Sequence, residues 1–406
     1  MRKTSLRKPT LAVAGSVAAL LLLAGCGTAS EAGGATSGEP TGDAAAAVEP
    51  SERLAVSVDG SVLVLDSATL EVVEEFSSEA FTRLNAVGDG RNVLVTTSTG
   101  FQVLDTQAPE LTDLEFPAEA AGHVVRHGGK TVLYADGTGE TTIFDTDALV
   151  ELAGAQLPEV TTHRADAAHH GVSIVLEDGT LVTTVGDATS RSGAVALEPH
   201  DDHYDEIAIS DECPGIHGEG TAQDEAVIFG CENGALLYQD GAFEKFTAPD
   251  AYGRMGNAYV SETSPIVVGD YKHDPDAEGY LLHEVALIDT AARTYEVVEL
   301  DGVEYTWRGV VRGPEDLAYI LGTDGAIHVL DPASGEITAA HPVIDPWQGP
   351  SDWQEPHPAM TTDGETAYIA DVANDRVIAV DLATGEVVAE SEALPAAPNE
   401  MAVNLG

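Results

Sequence analysis

Six histidines of this chain fall in four short segments: "GHVVRHGG" (122–129), "DAAHHG" (166–171), "CPGIHGEG" (213–220) and "EPHPAM" (355–360). A neutral imidazole offers one nitrogen lone pair. Zinc takes such nitrogens at about 2 Å, usually as four ligands in a tetrahedron that a carboxylate can complete. The candidate metal ligands are therefore His123, His127, His169, His170, His217 and His357, with Asp166 and Glu219 as neighbouring acids. His169 points to the face of its segment opposite His170, as a fourth ligand or an outer partner. No single helix or hairpin can gather residues this far apart, so a repeating fold must do it.

Other chemistry is scarce. The chain has no Gly-x-Ser-x-Gly elbow, no phosphate-cradling loop, no His-Glu-x-x-His helix and no dinucleotide fingerprint. Trp307, Trp347 and Trp353 are too few for a carbohydrate groove and read as core or rim packing. "EPHDDHYDE" (198–206) and "YKHDPDAEGYLLHE" (271–284) set His200, His203, His273 and His283 among acids. Such loops can hold divalent cations loosely or guard an entrance, but they read first as solvated surface. His328 and His341 carry no such context.

The elements that must position the histidines are short strands. "LAVSV", "SVLVLD" and "EVVEEF" near residue 54 match "TAYIAD", "RVIAVD" and "EVVAES" near residue 366, with Asp-Gly, Asn-Asp and Thr-Gly turns between. Apolar alternation bounded by such turns predicts antiparallel strands. The unit returns at 92, 131, 173, 226, 265 and 317, about every forty residues, which predicts an all-β protein with a single β-propeller. Eight four-stranded blades are expected, and seven if the irregular stretch 213–250 merges with its neighbour. The first unit lacks a leading strand, and "NEMAVNLG" (399–406) is expected to supply it, closing the ring through the two chain ends.

Ahead of each unit lies a segment expected to form the innermost strand, lining the central channel. Aligned on the following Gly, Asp89, His127, His170, His217 and Asp363 share one level. Asn85, His123, Asp166, Cys213, Asn257, Arg308, His357 and Asn399 share the other, about 13 Å away. This alignment predicts that His127, His170 and His217 meet, with Glu219 or another acid, and that His123, Asp166 and His357 form a second ring.

The N-terminus sets the compartment. Arg2, Lys3, Arg7 and Lys8 precede an apolar run, Leu11 to Leu23, that is too short and Ala-rich for a stable span, which reads as an export signal. Leu23-Ala24-Gly25-Cys26 resembles the lipobox of bacterial lipoproteins, implying lipidation at Cys26 and an anchor on the outer face of the cytoplasmic membrane. The expected organisation is a signal peptide over 1–25, a lipidated Cys26 with a flexible Gly/Ala/Ser/Glu/Pro linker over 26–52, and the propeller over 53–406. In an oxidising compartment Cys213 and Cys231 most simply pair, a thiolate metal site being the competing reading. The chain carries 69 acidic and 18 basic residues, a net charge of −51, which repels nucleic acid and attracts cations.

Three segments, "GHVVRHGGKTVLYADGTGETTIFD" (122–145), "AAHHGVSIVLEDGTL" (167–181) and "ECPGIHGEG…VIFGCENG" (212–234), resemble the AztD-type zinc metallochaperones. These are exported β-propellers that work with an ATP-driven zinc importer. The resemblance spans roughly 53–406. It implies zinc as the bound ion, the solute-binding protein of an ABC zinc importer as partner, and no enzymatic activity. It also implies ligand or near-ligand roles for His123, His127, His169, His170 and His217, and a Cys213–Cys231 disulfide. The family often carries a His-rich stretch near the mature N-terminus, and residues 27–52 contain no histidine. Two other classes fit a propeller. "DVANDRVIAVDLATGEVVA" (371–389) looks like repeats of lactonase-like or quinoprotein-like enzymes, whose calcium prefers oxygen ligands over histidine. A metal-free extracellular scaffold is the third.

Overall fold

The structure is a computed structural model that describes residues 52–200, 203–276, 280–350 and 352–404. The expected export signal, Cys26 and the expected linker up to residue 51 lie outside the described residues. Eight antiparallel sheets follow one another along the chain, each with four principal strands, as a propeller requires. A short pair of residues, Gly253–Arg254, adds a fifth strand to the fifth blade. Among the described residues no helix is long and apolar enough to cross a membrane.

The blades explain why the apolar pattern is denser than simple alternation. In each blade the second and third strands are packed on both faces by neighbouring blades. Arg53–Val58, Ser61–Asp66, Asn92–Thr96 and Ala318–Gly322 are buried along nearly their whole length. The outermost strands, such as Val72–Ser77 and Glu336–Pro342, face solvent and carry the acids and other polar residues. The apolar seams run between blades. Leu54, Val56 and Leu63 of the first blade pack with Tyr368, Val377 and Ala379 of the eighth. Val132, Ile174, Leu181, Val227 and Phe229 join the third, fourth and fifth.

The C-terminal Met401–Val403 is the innermost strand of the first blade, pairing with Leu54–Val56, so the chain ends close the ring as expected. Asn404 fastens the seam. Its Oδ1 accepts from the Arg53 amide at 2.7 Å, and its Nδ2 donates to the Gly90 carbonyl and to Thr106 Oγ1. Ser57 adds a second clasp: its amide donates to the Glu400 carbonyl, and its hydroxyl accepts from the Glu400 amide.

The fourth blade differs from the expected register by one strand. Ser173–Val175 is its innermost strand, followed by Leu181–Gly186, Arg191–His200 and His203–Ser210. The Asp178-Gly179 turn closes the first hairpin of that blade, not the second: Asp178 Oδ1 accepts from the Thr180 amide, and the Leu176 amide donates to Thr180 O. Residues 166–172 are consequently a connector, not a strand. In the fifth blade the innermost strand is His217–Ala222, and Cys213 lies before it.

Cys213 and Cys231 are fully buried and joined as a disulfide, so the thiolate-site reading falls away. The bond ties the approach to the innermost strand of the fifth blade to the end of its second strand, across 18 residues of sequence.

Two outcomes follow for stability. Asn404→Ala removes the acceptor of the Arg53 amide and the donor to the Gly90 carbonyl and Thr106 Oγ1 at the seam, and should cost about 2 kcal/mol in urea unfolding at unchanged m-value. Replacing both Cys213 and Cys231 by Ala removes a closed loop of this length and should cost about 3 kcal/mol in the same measurement.

Candidate metal centre

His123, His170 and His217 converge: each offers a ring nitrogen lying within 4.8 Å of the other two. They come from three successive blades. His123 lies on the innermost strand Ala121–His127 of the third, His170 in the connector entering the fourth, and His217 at the start of Ala222's strand in the fifth. The ring centroids are 5.1–5.2 Å apart for all three pairs.

Local irregularity aims two of these side chains. Ala121 pairs with Ala135 but Val124 pairs with Leu133, so Gly122 and His123 sit opposite a single residue in a bulge. His217 pairs with Gly230 and Glu219 with Phe229, leaving Gly218 unmatched. Gly218 has φ +61°, and a Cβ there would lie 2.2 Å from the Gly256 carbonyl oxygen, so only glycine fits. Bulges of this kind turn side chains out of the regular pleat.

Hydrogen bonds then decide which nitrogens face inward. His217 Nδ1–H donates to the Gly256 carbonyl at 2.6 Å, a group that can only accept. His170 Nδ1–H donates to Asp136 Oδ2 at 2.5 Å. In the neutral rings both Nε2 atoms then carry the lone pair, and they face one another at 3.1 Å. Two lone pairs at that distance repel unless a proton or cation lies between them. Carboxylate or carbonyl behind the imidazole is the arrangement that orients metal-binding histidines.

Electrostatics favour the ligating forms. Burial, with repulsion from His217, His170 and two arginines, holds the His123 imidazole well below its ordinary value. Burial pushes His217 down to about 3, although the Gly256 contact works the other way. Both are neutral at pH 7. Glu219 Oε2 lies 3.8 Å from His123 Nδ1, and burial raises its carboxyl to about 7.

The other expected ligands are placed elsewhere. His127 stands at the far end of its strand, with Nε2 2.7 Å from Glu225 Oε1, while Glu225 Oε2 accepts from the Glu177 amide. The expected level of His127, His170 and His217 is thus corrected to His123, His170 and His217. The innermost strands of the fourth and fifth blades begin later than the Gly alignment assumed, so His170 falls in the connector before its strand and His217 at the start of its own, both beside His123. His169 is buried and used up: Nδ1–H donates to the Ala167 carbonyl, and Nε2 meets Thr184 Oγ1 and Tyr134 Oη. His357 is buried with Nδ1–H on the Glu355 carbonyl, outside the three-histidine group. Asp166 is exposed on the connector and is also not part of it.

A second group, His273, His283 and Glu284, also places its ligand atoms within 4.8 Å of one another, on the hairpin of the sixth blade. His273 Nδ1 is 2.5 Å from Glu284 Oε2. Residues that sequence reasoning missed are Asp136 and the arginines around the histidines, while Trp307 and Trp353, read there as core or rim packing, line the same space. The cavity in front of the site is lined by Arg83, Arg191, Arg254, Trp307 and Trp353.

No family model matches the chain. It is 25% identical over 289 residues to a protein named zinc chaperone AztD from Citrobacter koseri. That match takes in 68% of this chain and 64% of the relative, so the chain spans less than two thirds of the relative's length. Among solved structures, apo AztD from Citrobacter koseri superposes with a TM-score of 0.70 at 20% identity, covering 87% of this chain and 97% of that one. The dihydro-heme d1 dehydrogenase NirN, in complex with DHE, shares the fold at a TM-score of 0.61 and 15% identity, covering 90% of this chain and 77% of that one. The resemblance to the AztD-type family carried by the histidine segments thus holds across most of the chain, in sequence and in fold.

Proposed function

We propose that this protein is a non-catalytic zinc carrier outside the cytoplasmic membrane, holding zinc on His123, His170 and His217 and passing it to the solute-binding protein of an ABC zinc importer. The observation that carries the reading is the pair of Nε2 lone pairs held face to face at 3.1 Å by Asp136 and Gly256. The name of the relative from Citrobacter koseri, a zinc chaperone, supports the same reading. Zinc is the cargo here, not a resident cofactor.

Three imidazole nitrogens leave a fourth position, which Glu219, 3.8 Å from His123 Nδ1, can fill and vacate by a small shift. Structural zinc sites are closed by four protein ligands, whereas an open site admits an incoming ligand. A receiving protein can therefore take the ion by stepwise ligand exchange at the mouth. Lipidation at Cys26 and the linker over 26–52 would tether the propeller on the outer face of the membrane, and its acidic surface would raise the local cation concentration.

The soluble domain, residues 53–406, is expected to bind about one tight zinc at this site, removable by chelator with the circular dichroism unchanged. His170→Ala or His217→Ala should weaken it by at least about 100-fold, and Asp136→Asn by about 10- to 100-fold. Retention of calcium alone, or zinc binding indifferent to both histidines, would sink the carrier reading.

The pH dependence has a stated sign. Glu219 is mostly protonated below pH 7 without metal, and a ligating carboxylate must shed that proton. Affinity for zinc should rise by about tenfold per pH unit below 7 and flatten above it. Glu219→Gln should make this slope shallower, as measured by competition with a zinc indicator from pH 5.5 to 8.5.

A further inference from the structure

The cavity in front of the three histidines has a volume of about 540 Å³. Its charge runs against that of the chain. Acidic residues outnumber basic ones by 69 to 18, yet Arg83, Arg191, Arg254 and Lys272 all line this one space. Asp270 is the carboxylate among the lining residues, and it is already engaged by the amides of Gly256 and Asn257 and by Asn257 Nδ2.

Two of the guanidiniums make no close ion pair, although Arg254 acts on Asp270 from longer range. Among the described residues, no carboxylate oxygen lies within 4.0 Å of Arg191 or Arg254, whereas Arg83 reaches Glu400 at 3.8 Å. Arg191 Nη1 is buried without a hydrogen-bond partner among those residues, and Arg254 Nη1 has the Gly215 carbonyl at 3.3 Å. Burial and the like charge of Arg254 together depress the Arg191 guanidinium, with Glu232 and Asp136 opposing at longer range. Asp136 is committed to His170. A dication on three neutral imidazoles would add two more positive charges beside these arginines.

We infer that this cavity is a binding site for a small organic carboxylate, held by the guanidiniums of Arg191 and Arg254 beside the three histidines. A guanidinium presents paired N–H groups that match both oxygens of a carboxylate. The aromatic walls, Trp307, Trp353 and Tyr252, suit a ligand with a hydrocarbon body, which inorganic phosphate lacks. One carboxylate oxygen can take the fourth position of a bound zinc in place of Glu219 while the other stays on an arginine. The two ligands then bind with positive, reciprocal coupling. The carboxylate site stands without zinc, and its coupling to zinc rests on the carrier function proposed above.

The test is a titration of the zinc-free protein with ¹³C-labelled succinate, followed by NMR line width, with inorganic phosphate as the competing anion. Wild type should show saturable broadening, weakened at least tenfold in Arg191→Gln/Arg254→Gln and also weakened in the charge-keeping Arg191→Lys/Arg254→Lys. Circular dichroism and zinc stoichiometry check that each variant is folded. Loading one equivalent of zinc should tighten succinate at least tenfold. The carboxylate site is overturned if wild type and both variants bind alike, if none binds, or if phosphate binds as tightly. Zinc that loads without altering succinate affinity overturns the coupling. Failure of zinc to load counts against the carrier function, while the zinc-free titration still decides the carboxylate site.

Discussion

The hydrogen bond from His217 Nδ1–H to the Gly256 carbonyl decides which face of that imidazole the channel sees. A carbonyl cannot donate, so the tautomer is fixed and Nε2 must carry the lone pair. Asp136 does the same for His170 from the neighbouring blade. Neither restraint involves a metal, so the donor set is already oriented when empty. The proposed carrier function, with its loading and unloading, benefits from this, because little ordering remains to be done at each exchange. The low basicity of His123 and His217 has a similar effect, since protons do not compete for those nitrogens near neutral pH.

The propeller makes that geometry possible by bringing residues 47 and 98 positions apart into direct contact, as in His170–His217 and His127–Glu225. Regular pleating alone would not. The irregular pairings around Gly122–His123 and Gly218 break the ladder at the places where side chains are needed in the channel. A third lies in the innermost strand of the seventh blade, between Tyr305 and Val310, and carries Trp307 and Arg308. Arg308 turns to Asn399 and Glu400 and so braces the closing segment from within. Sites and seams here use the same device, a local departure from a repeated strand.

The fold was legible because its signal is redundant. Eight copies of a strand pattern, separated by Asp-Gly and Thr-Gly turns, point to one architecture even when one copy is misread. The position of "SIV" (173–175) shows the limit: a three-residue innermost strand carries too little pattern to be told from the second strand of its blade. That slip misaligned His170, and the later start of His217–Ala222 misaligned His217. The residue types at the site were therefore visible, but the level at which they meet was not. Asp136, Arg191 and Arg254 were hidden for another reason. In an acidic chain a single aspartate or arginine stands out only once the fold shows what it faces.

The seam between the chain ends carries a consequence for how the molecule is made. The Arg53 amide finds its acceptor on Asn404, 351 residues later. Until the last few residues are delivered, Arg53–Val58 has one unpaired edge, and the circle stays open however well the middle blades have formed. Such distant contacts form slowly. A chain made from its N-terminus onward has to wait for its tail, whereas blades three to five, with the disulfide and the three histidines, draw only on residues within one continuous stretch. The contacts among the three histidines therefore need no residue of the closing segment, whereas the ring itself cannot close without it.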